Sequence, residues 1–215
     1  MDISKLFGGN RNANHPISSN HHKKIRYIHQ DLELRLGKDK ADQILNDSDV
    51  KYLDLQKQHI DLPPAVKQHT DLIFMNAAMY LCICDHLPKE AAYQIMEDAT
   101  VKYAKPIGHL LDNVTRLPGM PRLFMKVFRK MLKTSFNDDA GFVSRYYETT
   151  DKAISVDIMA CPYHKYFTEA GCPELCKVSC ESDDVCYGNT KHVEFQRSQT
   201  IGRGGECCDF RLRVK

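Results

Sequence analysis

The chain has no tryptophan, and its charges nearly cancel: 30 Lys and Arg against 28 Asp and Glu leave a formal +2. So small an excess gives no electrostatic case for nucleic acid as a partner. Long hydrophobic runs are also missing. The longest, Leu72 to Cys84, falls short of the roughly 18 residues that a membrane span needs and is broken by Asn76, so no span is expected. The opening residues MDISKLFGGNRN lack the apolar stretch of a signal peptide. A cytoplasmic, reducing location is therefore the expectation. A composition 42% hydrophobic and 27% charged excludes disorder and low complexity, and 215 residues suffice for one domain with a core.

What the chain does have is nine cysteines. Cys82 and Cys84 lie in an apolar helical run and read as small core hydrophobes. The other seven, Cys161, Cys172, Cys176, Cys180, Cys186, Cys207 and Cys208, crowd the last quarter. An odd total without a secretion signal argues against a disulfide framework. Clustered thiols in a reducing compartment point to metal binding, catalysis or redox sensing.

Residues 1–20, polar and rich in Gly and Asn, read as an arm preceding a single α+β domain over 21–215. In its helical part, 21–140, apolar residues at Ile25, Ile28, Leu32 and Leu36 predict a helix that Gly37 can end in a left-handed conformation. A short helix around Ala41 to Leu45 and a linker at Asp47, Ser48 and Asp49 are expected next. Pro63-Pro64 opens a long helix to Cys84, and Pro88 starts another through Ala99. Pro106 and Pro118-Gly119 delimit a shorter helix, and Pro121 opens the last. That last helix carries Arg122, Lys126, Arg129, Lys130 and Lys133 without an acid, which reads as a solvated basic face or as a patch for an anionic surface.

The period then changes to two. Phe142–Thr150, Ala153–Ala160, His192–Thr200 and Cys207–Val214 read as strands of one antiparallel sheet, giving a β-β-α-α-β-β part over 141–215. Between the strand pairs, Pro162 and Pro173 suit helix starts, which places Cys161 and Cys172 at N-caps, with Gly171 and Gly188 as stops. A thiol at a helix N-terminus meets unpaired N–H groups that favour thiolate. Asp157 shares the strand face of Cys161. Cys176 and Cys180 project from one helix face, and Asp183 and Asp184 follow within a turn of Cys180. Cys161-x2-His164 and Cys172-x3-Cys176 are spaced as possible zinc ligand pairs, although a second pair that begins a helix departs from the usual loop-presented site.

The ordered series Cys161-Pro162-Tyr163, Pro173-Glu174-Leu175, Cys180 with Asp183, Gly188, Arg197-Ser198-Gln199-Thr200-Ile201, Gly204 and Cys208-Asp209-Phe210-Arg211 resembles the L-2-amino-thiazoline-4-carboxylic acid hydrolase family over roughly residues 140–215. A weaker likeness is to small-molecule-binding domains of the 4-vinyl reductase type. The first resemblance implies a hydrolase opening a small cyclic C–N/C–S substrate, in the named activity a 2-aminothiazoline carboxylate opened to N-carbamoyl-cysteine. Two departures stand out. Cys207 occupies a position where family members commonly carry histidine, and Cys172, Cys176 and Cys186 are extra to the pattern.

On that resemblance Cys180 is the expected nucleophile and Asp183 the acid/base group, with Cys161 and Cys208 completing the site. Arg197 is the expected carboxylate clamp, since guanidinium pairs with carboxylate through two parallel hydrogen bonds, and Asp157 is a second substrate-binding candidate. Alternatively Cys161, Cys180 and Cys208 hold a metal, zinc or an iron-containing centre, whose bound water attacks. The rival from another class is a sensor module in which the thiols bind a metal, cluster or ligand without turnover.

Overall fold

The computed structural model describes Ile17 and residues 23–215; the expected arm lies almost wholly outside the described residues. Seven α-helices are described: α1 (Lys23–Leu36), α2 (Lys38–Gln58), α3 (Pro64–Cys84), α4 (Lys89–Thr115), α5 (Met120–Ser135), α6 (Pro162–Glu169) and α7 (Leu175–Tyr187). Four strands accompany them: β1 (Val143–Thr149), β2 (Ala153–Ala160), β3 (Val193–Gln196) and β4 (Cys208–Val214). They form one antiparallel sheet in the order β1-β2-β4-β3. The α+β class and the β-β-α-α-β-β order are those read from the sequence.

Several starts and stops follow from residue chemistry. Pro64 and Pro121 occupy first-turn positions, where a missing N–H costs nothing. Gly37 separates α1 from α2 at φ 84° and ψ 161°, a positive φ that other residues rarely adopt, although not the left-handed helical one expected.

Four expectations need correction. The short helix and linker are one helix, α2. Its buried stripe of Ala41, Ile44, Leu45, Ser48, Tyr52 and Leu55 runs through the polar residues, and the Ser48 hydroxyl is satisfied by the Ile44 carbonyl at 2.6 Å. Pro106 does not break α4. The proline and Lys102, whose carbonyl loses its partner, both lie on the exposed side, where water can satisfy it. The third strand ends at Gln196, because the next residues turn to meet Asp209. Cys172 does not cap α7: a tight turn through Pro173 intervenes, and Gly188 ends the helix at an ordinary φ of −63°.

Two apolar clusters form the core. One joins α1–α3 and the start of α4 to α6 and the first half of α7. The other joins the inner sheet face to α5, the second half of α4 and the end of α7. Helix α7 crosses both. Its approach to α4 depends on Gly108, where a Cβ would stand 2.7 Å from the Val185 carbonyl oxygen. This places the cysteine-bearing face of α7 between the helical layer and the sheet.

No helix among the described residues is long and apolar enough to cross a membrane.

Candidate functional site

Two of the sequence runs singled out above interlock. Asp209 on β4 accepts from the Ser198 N–H at 2.9 Å, the Ser198 hydroxyl at 2.6 Å and the Gln199 N–H at 2.8 Å. These donors hold its carboxyl below the usual range against the push of burial. The turn so fixed delivers Thr200 and the short 3-10 segment Ile201–Arg203 onto α7. Gly202 seats against it: a Cβ there would come within 3.0 Å of the Cys176 sulfur and carbonyl carbon. The Ile201 N–H donates to Cys208 Sγ at 3.3 Å.

Cys161, Cys176, Cys180 and Cys208 lie under that turn, near enough to shift one another's ionisation: Cys176 and Cys161, Cys176 and Cys180, and Cys180 and Cys208 act most strongly on each other. The order is therefore Cys161, Cys176, Cys180, Cys208. Donation by Cys176, then by Cys208, draws Cys180 far down from an ordinary thiol value; burial opposes this, and Thr200 and the Arg197 charge add to it. Cys161 is also lowered, first by Cys176. Its sulfur makes no short capping bond at the start of α6, but the Tyr163 and His164 N–H groups face it and favour thiolate. Cys176 and Cys208 go the other way and keep their protons. The series is two thiolate-favouring sulfurs, Cys161 and Cys180, each served by protonated neighbours.

Arg197 braces the cluster. Its side chain is 2% exposed. Nη1 donates to Asp183 at 3.2 Å, and Nη2 donates to Asp184 at 2.5 Å and to the Cys180 carbonyl at 2.9 Å. Its guanidinium lies 5.6 Å from the Phe195 ring centroid and 5.1 Å from that of Phe210. The expected two-bond clamp on a substrate carboxylate is thus spent on the protein's own α7. Only Nε is buried without a hydrogen-bond partner. Burial pushes the Asp183 carboxyl up to about 7 while Arg197 pulls down; 35% of that side chain remains open to solvent, which tempers the push.

Cys161, Cys180, Cys208 and Asp183 come together around α7, but Asp157 does not join them. It faces the outer side of the sheet, where it accepts from Arg211 at 2.6 Å and Tyr147 at 2.7 Å. Strand alternation sends it away from the inner-facing Ile158, which pairs with Cys208. Cys172 and Cys186 are core thiols pushed up to about 12 by burial. His164 is exposed on α6. Among the described residues no three His, Cys, Asp or Glu side chains stand so as to hold a metal ion, so these residues do not fit a zinc or iron cage.

Sequence reasoning left Cys176 and Thr200 out of the site. The signal for Cys176 was its i, i+4 relation to Cys180; for Thr200 it was its place in the run Arg197-Ser198-Gln199-Thr200-Ile201. Behind Cys161, Tyr163 is a third addition. Its hydroxyl lies 3.5 Å from Nδ1 of the buried His69, whose Nε2 is 2.6 Å from the Ser135 carbonyl. Burial lowers His69, so this ring is neutral near pH 7.

A family model described as L-2-amino-thiazoline-4-carboxylic acid hydrolase matches residues 67–212. No curated protein and no solved structure matches the chain.

Proposed function

Because the chain belongs to the L-2-amino-thiazoline-4-carboxylic acid hydrolase family, we propose that it hydrolyses a small cyclic C–N/C–S substrate with Cys180 as nucleophile. The observation that carries this reading is the series of four sulfurs beside Asp183, in which protonated Cys176 and Cys208 stabilise a thiolate at Cys180.

With a 2-aminothiazoline carboxylate as substrate, the Cys180 sulfur adds to the amidine-like carbon and the ring carbon–sulfur bond breaks. The departing sulfur takes a proton from Asp183, whose carboxyl, raised to about 7, still holds one near neutral pH. Asp183 then accepts a proton from water attacking the same carbon. Cys180 leaves as thiolate, and the product is the N-carbamoyl thiol acid. Two half-reactions replace one difficult hydrolysis. Arg197 acts as a positioning residue for Asp183 and Asp184.

The test is incubation of reduced protein with 2-aminothiazoline-4-carboxylate and mass detection of N-carbamoyl-cysteine. Product from the wild type, none from Cys180→Ser, and an enzyme adduct on Cys180 after rapid quenching support the reading. Product formation undiminished in Cys180→Ser removes it. One equivalent of zinc or iron per chain, lost in Cys161→Ser, replaces it with a metal-holding role for the thiols.

A further inference from the structure

The charges that cancel over the whole chain do not cancel along it. Residues 99–137, from within α4 to just past α5, hold eight Lys and Arg but a single acid, Asp112, and the rest of the chain is net acidic. Asp112 is already engaged, by Arg116 at 2.5 Å and by the Lys191 N–H at 2.9 Å.

Helix α5 gathers five of these cations on one face. Arg122, Lys126, Arg129 and Lys133 recur at steps of four, three and four residues, with Lys130 beside them. The opposite face, Phe124, Met125, Phe128 and Leu132, is buried in the cluster under the sheet, so the helix is fixed in place. Arg129 is half-buried and donates to the Thr149 carbonyl at 3.1 Å. Arg122, Lys126, Lys130 and Lys133 are exposed. Among the described residues none of the five forms an ion pair.

Two exposed leucines border this face. Leu123, 48% exposed, is in line with Lys126 and Lys130, three and seven residues on. Leu117, 57% exposed, sits in the exposed run 116–119 between α4 and α5. Its N–H donates to the Val114 carbonyl at 3.2 Å, and its carbonyl accepts from the Met120 N–H at 3.1 Å. Leu117 can therefore enter an apolar layer without stranding its own peptide groups.

We propose that this face docks on an anionic lipid bilayer, with Leu117 and Leu123 entering the interface and the five cations resting on the headgroups. Unpaired cations select a negatively charged surface, and the leucines at their border select one with an apolar layer beneath its charge. A nucleic acid would satisfy the first and leave the leucines in water. The contact is peripheral, since α5 has only 16 residues and its apolar face is already covered by the protein. The inference is independent of the reaction proposed at Cys180.

The test is co-sedimentation of full-length reduced protein with vesicles of phosphatidylcholine, alone or with about a third phosphatidylserine. The expected result is binding to the phosphatidylserine vesicles only, lost as salt approaches about 1 M, where the screening length is about 3 Å. Lys126→Gln, Lys130→Gln and Lys133→Gln together should raise the lipid concentration for half binding about a hundredfold. Leu117→Ser with Leu123→Ser should raise it about tenfold. Lys23→Gln, Lys38→Gln and Lys57→Gln, at exposed positions of α1 and α2, should leave it unchanged. Urea midpoints check that each variant folds. No binding at low salt, an equal loss in the α1 and α2 triple variant, or undiminished binding by the leucine variant overturns the assignment. Retention on single-stranded DNA without vesicle binding also overturns it and gives the face to another polyanion.

Discussion

Arg197 Nη2 donates to the main-chain carbonyl of Cys180 at 2.9 Å, so the residue after β3 is fastened to the backbone of the residue that carries the central sulfur. The same guanidinium reaches Asp183 and Asp184 one turn further along α7. It ties the sheet edge to the helix at the place where the chemistry is proposed.

Arg197→Ala should therefore destabilise the fold as well as the site. Breaking a fully buried ion pair costs about 3–5 kcal/mol. The two carboxylates keep roughly a third of their side-chain surface in water, so about 2–3 kcal/mol is expected here, lost from the free energy of urea unfolding. Arg197→Lys should recover little, because one ammonium cannot span three acceptors in a planar fork. A loss below about 0.5 kcal/mol, the scale of an ordinary surface substitution, would show that the brace is not structural.

Asp183 should leave its mark on the pH profile. Its folded-state carboxyl is raised to about 7 from an unfolded 3.8, so the folded state favours the protonated form. The stability it contributes is full below the unfolded value and is lost as pH rises through about 7. Unfolding midpoints of the wild type should fall over that interval relative to Asp183→Asn, whose curve should be flatter there. On the proposed mechanism turnover also falls as pH rises through the same value. Superimposable curves for the two proteins would sink the assignment.

Cys180 titrates in the opposite sense. Its folded value is depressed, first by the Cys176 donor, so its contribution is present above the ordinary thiol value of about 8.5 and declines as pH falls below it. At about pH 6, where an ordinary thiol is protonated, the wild type should show more thiolate ultraviolet absorbance than Cys180→Ser, in which only Cys161 is drawn down. Cys176→Ala should raise the pH at which that signal disappears.

Gly108→Ala sets two effects of opposite sign against each other. Alanine favours a helix interior by about 1 kcal/mol over glycine. Here the added carbon would stand 2.7 Å from the Val185 carbonyl oxygen and 3.4 Å from the Cys186 Cα, both backbone atoms that cannot swing aside. Forcing α4 and α7 apart should cost about 1–3 kcal/mol, so a net loss of stability is expected in urea unfolding, together with weaker thiolate absorbance. A stabilised variant would mean that the two helices are free to separate.

The sequence was most readable where a local rule acted without competition. Pro64 and Pro121 opened helices, and the alternation of Ile154, Val156 and Ile158 marked β2. It misled where burial overrode local preference. Ser48 looks like a linker residue until Met79 and the Ile44 carbonyl are placed beside it. Pro106 looks like a boundary until it and Lys102, whose carbonyl loses its partner, are found on the exposed side of α4. At the site, the N-cap setting of Cys161 and the one-sided pair Cys176 and Cys180 were visible as spacing. The engagement of Arg197 by α7 was not, because it depends on β3 and β4 bringing Phe195 and Phe210 around the guanidinium.

Strand β1 lies at one edge of the sheet, with Val143, Tyr146 and Tyr147 exposed. A straight edge of that composition would invite further strands from other molecules. Its pairing with β2 slips twice, between Val143 and Ser144 and between Tyr146 and Glu148. Each slip bends the strand and interrupts the even row of amides that an incoming chain would have to match. The irregularity of β1 thus serves as a guard against self-templating, and smoothing it by deletion would trade a local defect for a sticky border.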